Sequence, residues 1–337
     1  MAQRTNSGRE FFGSRCISAL FSAALFTCLL LGTAGSVGAD PLLYVGDYSS
    51  GNGYVNYFDA LTGGFQLQTE APGMDYPGQM AIGPGGDLYV ADQQGTIDVF
   101  NPNSGSVLNQ FGSSNLTTPS GLAFSPSGDL YVSDFNGGNG VVDEFDGSGN
   151  FIAQVIGPSA GLDYPNAMTF GPDGNLYIAD SGSGSIYEYN ITSTAFSVFA
   201  SDTSANVNLV FGPGGNLYVV LASGGVDEFN GTTGALIGPF GDTFTATGAD
   251  IEGMAFGADG NLYLADSNGV DVVDGSTGDV TGNFIAVDGV DVINPTFLTF
   301  GPSVPEPATF LPGALGLMLL GWLRLRGRNL QRKGEGR

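Results

Sequence analysis

Carboxylates, carboxamides and hydroxyls carry nearly all the polar side-chain chemistry available between residues 40 and 303, because no Lys, Arg, His or Cys falls in that span. A Ser-His-Asp triad, a thiol nucleophile, a Schiff-base lysine, a structural zinc site and an arginine clamp are therefore excluded from it. Oxygen ligands alone suit a hard cation such as Ca²⁺. Two sets of residues have the right type. Asp47, Asp92, Asp134, Asp180 and Asp266 recur at a nearly fixed interval; such a series either rings a ligand or caps a repeated turn, and Asx capping is the usual role of acids that recur with the turn itself. Asn166, Glu252 and Asp250 stand instead where the pattern breaks, which makes them the candidate metal ligands, with a backbone carbonyl and waters to complete the shell. The sequence demands no cofactor, and Ca²⁺ is the ion this set would take.

Charge points the same way. Of the 33 acidic residues only Glu10, Glu306 and Glu335 lie outside residues 40–303, so that span carries 30 acids and no base. It repels phosphate polymers and anionic lipid and attracts cations, which argues against a nucleic-acid partner. No Gly-rich loop is followed by Lys and a helix, so no phosphate cradle is indicated. Asp143-Glu144 and Asp227-Glu228 are expected on a solvated outer face. Asp146-Gly147-Ser148-Gly149-Asn150 lacks the later Glu of a calcium loop and is expected to be a hairpin turn.

The elements that must hold these residues repeat. Leu43-Tyr44-Val45-Gly46-Asp47 returns as Leu88 to Asp92, Leu130 to Asp134, Leu176 to Asp180, Leu217 to Leu221 and Leu262 to Asp266, with successive tyrosines 45, 42, 46, 41 and 45 residues apart. That period belongs to a four-stranded propeller blade. The third unit divides by alternation and turn residues into Gly121 to Phe124, Leu130 to Asp134, Val141 to Phe145 and Phe151 to Ile156.

The first unit starts directly at its second strand, and the missing first strand reappears as Thr296 to Pro302, with Phe300 lying 44 residues beyond Phe256. The expected fold is thus all-β, a six-bladed β-propeller whose first blade is closed by a C-terminal strand, which removes open sheet edges. Aligned on Ile82, Phe124, Phe170, Phe211, Phe256 and Phe300, the position four residues earlier reads Gly78, Ser120, Asn166, Val207, Glu252 and Thr296, expected just before the innermost strands at one mouth of the channel.

These units resemble NHL repeats, most closely at Pro172-Asp173-Gly174-Asn175-Leu176-Tyr177-Ile178-Ala179-Asp180, over nearly all of residues 41–302. The third strands lack the Arg or His of that pattern, and Leu221 replaces the Asp of the fifth unit. Asn166 and Glu252 also resemble two of the metal-binding positions of gluconolactonase-like propellers, which would imply a divalent ion at the channel mouth and a lactone substrate.

Both ends read as addresses. Arg4, Arg9 and Arg15 precede an apolar run from Ile17 to Leu31 and then Val37-Gly38-Ala39, the layout of a cleaved signal peptide over residues 1–39. After the propeller at 40–303, residues 304–337 place Pro305, Glu306 and Pro307 before a short apolar helix at 310–323, followed by the basic stop of Arg324, Arg326 and Arg328. That tail resembles the PEP-CTERM sorting signal of Gram-negative bacteria. The resemblance implies an exosortase as processing partner, transient anchoring in the inner membrane through the helix, and delivery to the envelope surface or an extracellular matrix. The expectation for function is a non-catalytic binding or structural module whose acidic surface meets exopolysaccharide or an envelope protein. The alternatives are a metal-dependent gluconolactonase-like hydrolase and a purely structural matrix protein.

Overall fold

The computed structural model describes residues 41–49, 51–201, 206–241, 251–287, 289 and 292–301. The signal segment, Pro305-Glu306-Pro307, the apolar run, its basic stop and Asp250 lie outside the described residues. Among the described residues no helix is long and apolar enough to cross a membrane.

Among the described residues, twenty-four strands form six four-stranded antiparallel sheets. The innermost strands are β4 (Pro77–Ile82), β8 (Pro119–Phe124), β12 (Pro165–Phe170), β16 (Asn206–Phe211), β20 (Gly253–Phe256) and β24 (Pro295–Phe300). The pentapeptides form the second strands: β1 (Leu42–Ser49), β5 (Leu88–Asp92), β9 (Leu130–Asp134), β13 (Leu176–Asp180), β17 (Leu217–Leu221) and β21 (Leu262–Asp266). The third strands are β2 (Asn52–Asp59), β6 (Thr96–Phe100), β10 (Val141–Phe145), β14 (Ser185–Tyr189), β18 (Val226–Phe229) and β22 (Gly269–Val273). Outermost lie β3 (Phe65–Thr69), β7 (Val107–Phe111), β11 (Phe151–Ile156), β15 (Phe196–Ser201), β19 (Leu236–Pro239) and β23 (Val280–Ala286), which leave Leu108, Ile152, Val198, Leu236 and Ile237 exposed.

The first blade is closed as the sequence implies. β24 pairs with β1 through Leu43↔Phe300, Tyr44↔Thr299 and Val45↔Leu298, so its sheet runs β24-β1-β2-β3. β24 also packs on β20 and β4, its neighbours on either side, and the six innermost strands make an unbroken ring of such contacts. Every blade thus has its innermost strand, and none is left open at its second strand.

Alternation within the pentapeptide explains how blades stack. Leu and Val of each repeat are buried in their own sheet, as Leu88 and Val90 are, while the intervening Tyr reaches the next blade. Tyr89 meets Phe124 edge-on with ring centroids 4.9 Å apart, and Tyr131–Phe170, Tyr177–Phe211, Tyr218–Phe256 and Tyr263–Phe300 repeat the contact at 4.9 to 5.4 Å. Each edge-to-face pair adds about 0.5–1.5 kcal/mol beyond burial of its area. In the sixth interface Ile82 takes the place of Phe, and Tyr44 turns its edge to Tyr57 at 4.8 Å. The glycine after Phe170, Phe211, Phe256 and Phe300 follows from this packing: a Cβ on Gly171 would sit 2.6 Å from the Tyr177 ring.

One boundary differs from expectation. The first strand of the third unit begins at Pro119, two residues before Gly121, and its register against β9 shifts between Pro119 and Leu122. The same irregularity recurs between Pro77 and Met80, Pro165 and Met168, and Asn206 and Asn208. Ser120, Asn166 and Thr296 therefore lie within innermost strands rather than before them, and only Glu252 precedes its strand. Alternation is lost where a bulge inserts a residue, which moved the expected start inward.

Candidate mouth of the channel

The recurring aspartates are occupied as caps. Asp134 accepts the backbone N–H groups of Thr117 at 2.7 Å, Thr118 at 2.8 Å and Asn136 at 3.0 Å. Asp180 takes those of Tyr164 at 2.6 Å and Asp163 at 3.2 Å, and Asp92 takes those of Asp75 at 3.3 Å and Gln94 at 3.2 Å. In the closed first blade Asp47 takes Ile293 and Asn294, at 2.9 and 2.7 Å, from the far end of the chain. Each acid thus ties the loop that enters the innermost strand of its own sheet, and these buried side chains do not point at a shared ligand. Asp266 caps Asn268 at 2.6 Å.

What the clamped loops carry differs from blade to blade. Tyr76, immediately before β4, donates its hydroxyl to Glu252 Oε2 at 2.9 Å, although the two lie on the second and sixth blades. Burial, and after it the Glu252 carboxylate, push the Tyr76 hydroxyl well above the usual tyrosine range, so it stays a donor. The Tyr164 hydroxyl, from the fourth blade, is close enough to add to that rise. Behind them Tyr48 packs on Tyr76 with centroids 5.0 Å apart and Phe135 packs on Tyr164 at 4.5 Å. Tyr76, Tyr164 and Glu252 of three alternate blades, with the rings of Tyr48 and Phe135 from two of the blades between, thus gather over one end of the channel.

Deeper in, Gln79 spans the inner strands. Its Oε1 accepts the N–H groups of Leu122 at 3.0 Å and Met168 at 2.8 Å, and its Nε2 donates to the Met168 carbonyl at 2.8 Å, linking β4, β8 and β12. Sequence reasoning missed it, yet a signal existed: in the aligned column Gln79, Gly121, Ala167, Asn208, Gly253 and Phe297, the small residues leave room for a long one. Gln79→Ala strands buried backbone groups on two blades, costing about 1–3 kcal/mol and several degrees of melting temperature. A thermal scan checks this; an unchanged melting temperature would remove the bridge from the account.

Two of the three candidate ligands, Asn166 and Glu252, lie among the described residues. Asn166 Oδ1 accepts the Ser120 hydroxyl at 3.4 Å and its carbonyl accepts Ser133 Oγ at 2.7 Å, while Glu252 faces Tyr76 and its carbonyl accepts Asn208 Nδ2 at 3.2 Å. Among the described residues no group of three or more His, Cys, Asp or Glu is arranged to hold a metal ion.

Two expectations for the remaining acids meet opposite outcomes. Asp146 Oδ1 accepts the N–H groups of Ser148 and Asn150, each at 2.9 Å, so that segment is the expected hairpin turn. Asp143-Glu144 is not a solvated outer face: Asp143 is only 2% exposed, Glu144 receives the Tyr131 hydroxyl at 2.8 Å, and the counterpart Glu228 receives that of Tyr218 at 2.9 Å. A third strand lies inside a four-stranded blade, and its acids are spent on neighbouring strands.

No family model matches the chain, and no curated protein matches it. Solved structures do. A protein of unknown function from Bacteroides caccae gives a TM-score of 0.62 at 10% identity, over 78% of this chain and 99% of that one. A chain of the nidogen/laminin complex gives 0.64 at 16% identity, over 78% and 99%. A catalytically inactive virginiamycin B lyase from Staphylococcus aureus, solved with quinupristin, gives 0.57 at 17% identity, over 80% and 94%. At these identities the likeness is one of fold, and by fold this chain is a six-bladed β-propeller.

Proposed function

We propose that the chain is an exported, non-catalytic binding propeller of NHL-like repeats that meets its partner at the channel mouth. The carrying observation is where its individuality lies: the repeated acids serve as loop and turn caps, whereas Glu252 and the ring pairs Tyr48–Tyr76 and Phe135–Tyr164, which only one or two blades carry, gather at one end of the channel. The absence of any His argues against lyase chemistry, since the Staphylococcus aureus lyase above is inactive with a histidine replaced by alanine. A signal peptide over 1–39 and a PEP-CTERM-like tail over 304–337 would hand the chain to an exosortase and leave it at the envelope surface or in the matrix of a Gram-negative bacterium. There its 30 acids, bridged by Ca²⁺, would meet exopolysaccharide or an envelope protein.

A hydrolase reading competes at the same mouth, with an ion held by Asn166, Glu252 and Asp250 polarising a lactone carbonyl and activating water. The expected result is that millimolar Ca²⁺ raises the melting temperature of the full-length chain beyond NaCl of matched ionic strength, by mass action on the folded state. The same protein should turn over neither sugar nor aliphatic lactones. Metal-dependent turnover that disappears in Glu252→Gln combined with Asn166→Ala would replace the binding reading with the hydrolase. A calcium effect no greater than that of salt would leave a purely structural matrix protein.

A further inference from the structure

We propose that the channel mouth binds an organic cation, a quaternary or protonated amine, held against the rings of Tyr76 and Tyr164 with the Glu252 carboxylate as its counter-ion. The proposal deepens the reading of the mouth as a binding face and rests on it. Three observations carry it.

The first is what the mouth offers. Ring faces and carboxylate oxygens only accept, and the span from 40 to 303 contains no Lys, Arg or His to donate. The Tyr76 hydroxyl is already given to Glu252 at 2.9 Å. An anion would be repelled by the carboxylate and by the surrounding acids, whereas an organic cation brings the charge that ring faces and a carboxylate attract.

The second is geometry. Tyr76, Tyr164 and Glu252 come from the second, fourth and sixth blades, so they approach the axis from three sides, and the Tyr76 and Tyr164 hydroxyls are near enough to interact electrostatically. Tyr48 and Phe135 pack on these two rings with centroids 5.0 and 4.5 Å apart and help to fix their planes. Tyr164 remains 37% exposed, so a ring is available to a ligand. A cation within about 6 Å of a ring centroid is attracted by the ring quadrupole, more strongly once partly desolvated.

The third is the field. Thirty acids with no internal base make the whole body attract positive charge. Small inorganic ions share in the field, but only an organic cation also gains from the rings.

Choline chloride is the probe. Titrated into the full-length chain at constant ionic strength against NaCl, it should give saturable binding by calorimetry that NaCl does not reproduce. Tyr164→Leu and Glu252→Gln should each weaken it at least tenfold, and Tyr164→Phe, which keeps the ring, should recover most of the loss. Circular dichroism on each variant separates a lost site from a lost fold, and Glu252→Gln, isosteric and half-buried, guards against failure of the leucine variant to fold. A choline response equal to that of NaCl, or one that survives both substitutions, overturns the proposal; binding of glucose with the same sensitivity to the variants overturns it in favour of a neutral glycan. None of these outcomes bears on lactone turnover, which alone decides between binding module and hydrolase.

Discussion

Deleting residues 295–301 from the full-length chain should abolish cooperative unfolding, whereas a chain ending at residue 303 should melt as the full-length chain does. The deleted strand is short but holds the ring in three ways. It pairs with β1 through Leu43↔Phe300 and Val45↔Leu298 and so completes the first blade. It packs against β20 and β4, with Phe300 edge-on to Tyr263 at 4.9 Å and Thr296 Oγ1 donating to the Pro77 carbonyl at 3.0 Å. Beside it, Ile293 and Asn294 are the groups that Asp47 clamps. Phe297 and Leu298 are buried, and burial of such side chains is worth about 1.5–3 kcal/mol each. With the lost pairing and the exposed edge of β1, the total is a large share of the about 5–15 kcal/mol by which domains are stable. Calorimetric melting of the two truncations checks this, and melting temperatures within a few degrees of each other would refute closure by the C-terminal strand. The chain ending at 303 also tests the sorting reading: it should appear in the culture medium, and its retention at the cell surface would count against the tail as an address.

The fold was legible in the sequence because its signals are local and repeated. The Tyr of each pentapeptide and the Phe that ends the preceding strand in five of the six units stand in nearly constant register, and their recurrence reflects one physical job, meshing each blade with the next. The split first unit carried closure, since Leu43 had no preceding strand and Phe300 had no following one. Less of the site could be read. Tyr76 and Glu252 lie 176 residues apart, and only the ring places their side chains at 2.9 Å. Gln79 bridges β8 and β12 only because its position in a bulged strand aims it at both. The third-strand acids misled for a related reason: alternation assigns a face, but both faces of a blade's third strand are covered by neighbouring blades, so a polar residue there is as apt to be buried as solvated.

Those buried acids supply the last expected result: Asp98→Asn should stabilise the protein at pH 8 and have little effect near pH 4. Asp98 lies in β6 opposite Val90 and is fully buried. Gln110 Nε2 donates to its Oδ1 at 2.7 Å, yet Asp98 Oδ2 and the nearby Asp92 Oδ2 are both buried without a hydrogen-bond partner. The first blade shows how the pair is meant to be satisfied: there Asn56 occupies the matching place opposite Val45 and donates Nδ2 to Asp47 Oδ2 at 3.1 Å. Asparagine at 98 should donate to Asp92 in the same way. In the wild type burial, helped by the Asp92 charge and opposed by Gln110, raises the Asp98 carboxyl to about 7 from an ordinary 3.8. Between those values the folded state holds a proton that the unfolded chain has lost, so stability falls as pH rises through the window and the deficit is complete above it. At about 1.4 kcal/mol per unit, the penalty at pH 8 is on the order of 4 kcal/mol, and an uncharged asparagine removes it. Asp143, raised to about 6 chiefly by burial, adds a smaller slope of the same sign in both proteins. Denaturant melts of wild type and variant at pH 4 and pH 8 isolate the residue: the two curves should converge in acid and separate in base, and a separation that does not depend on pH would show that Asp98 is not the group that titrates.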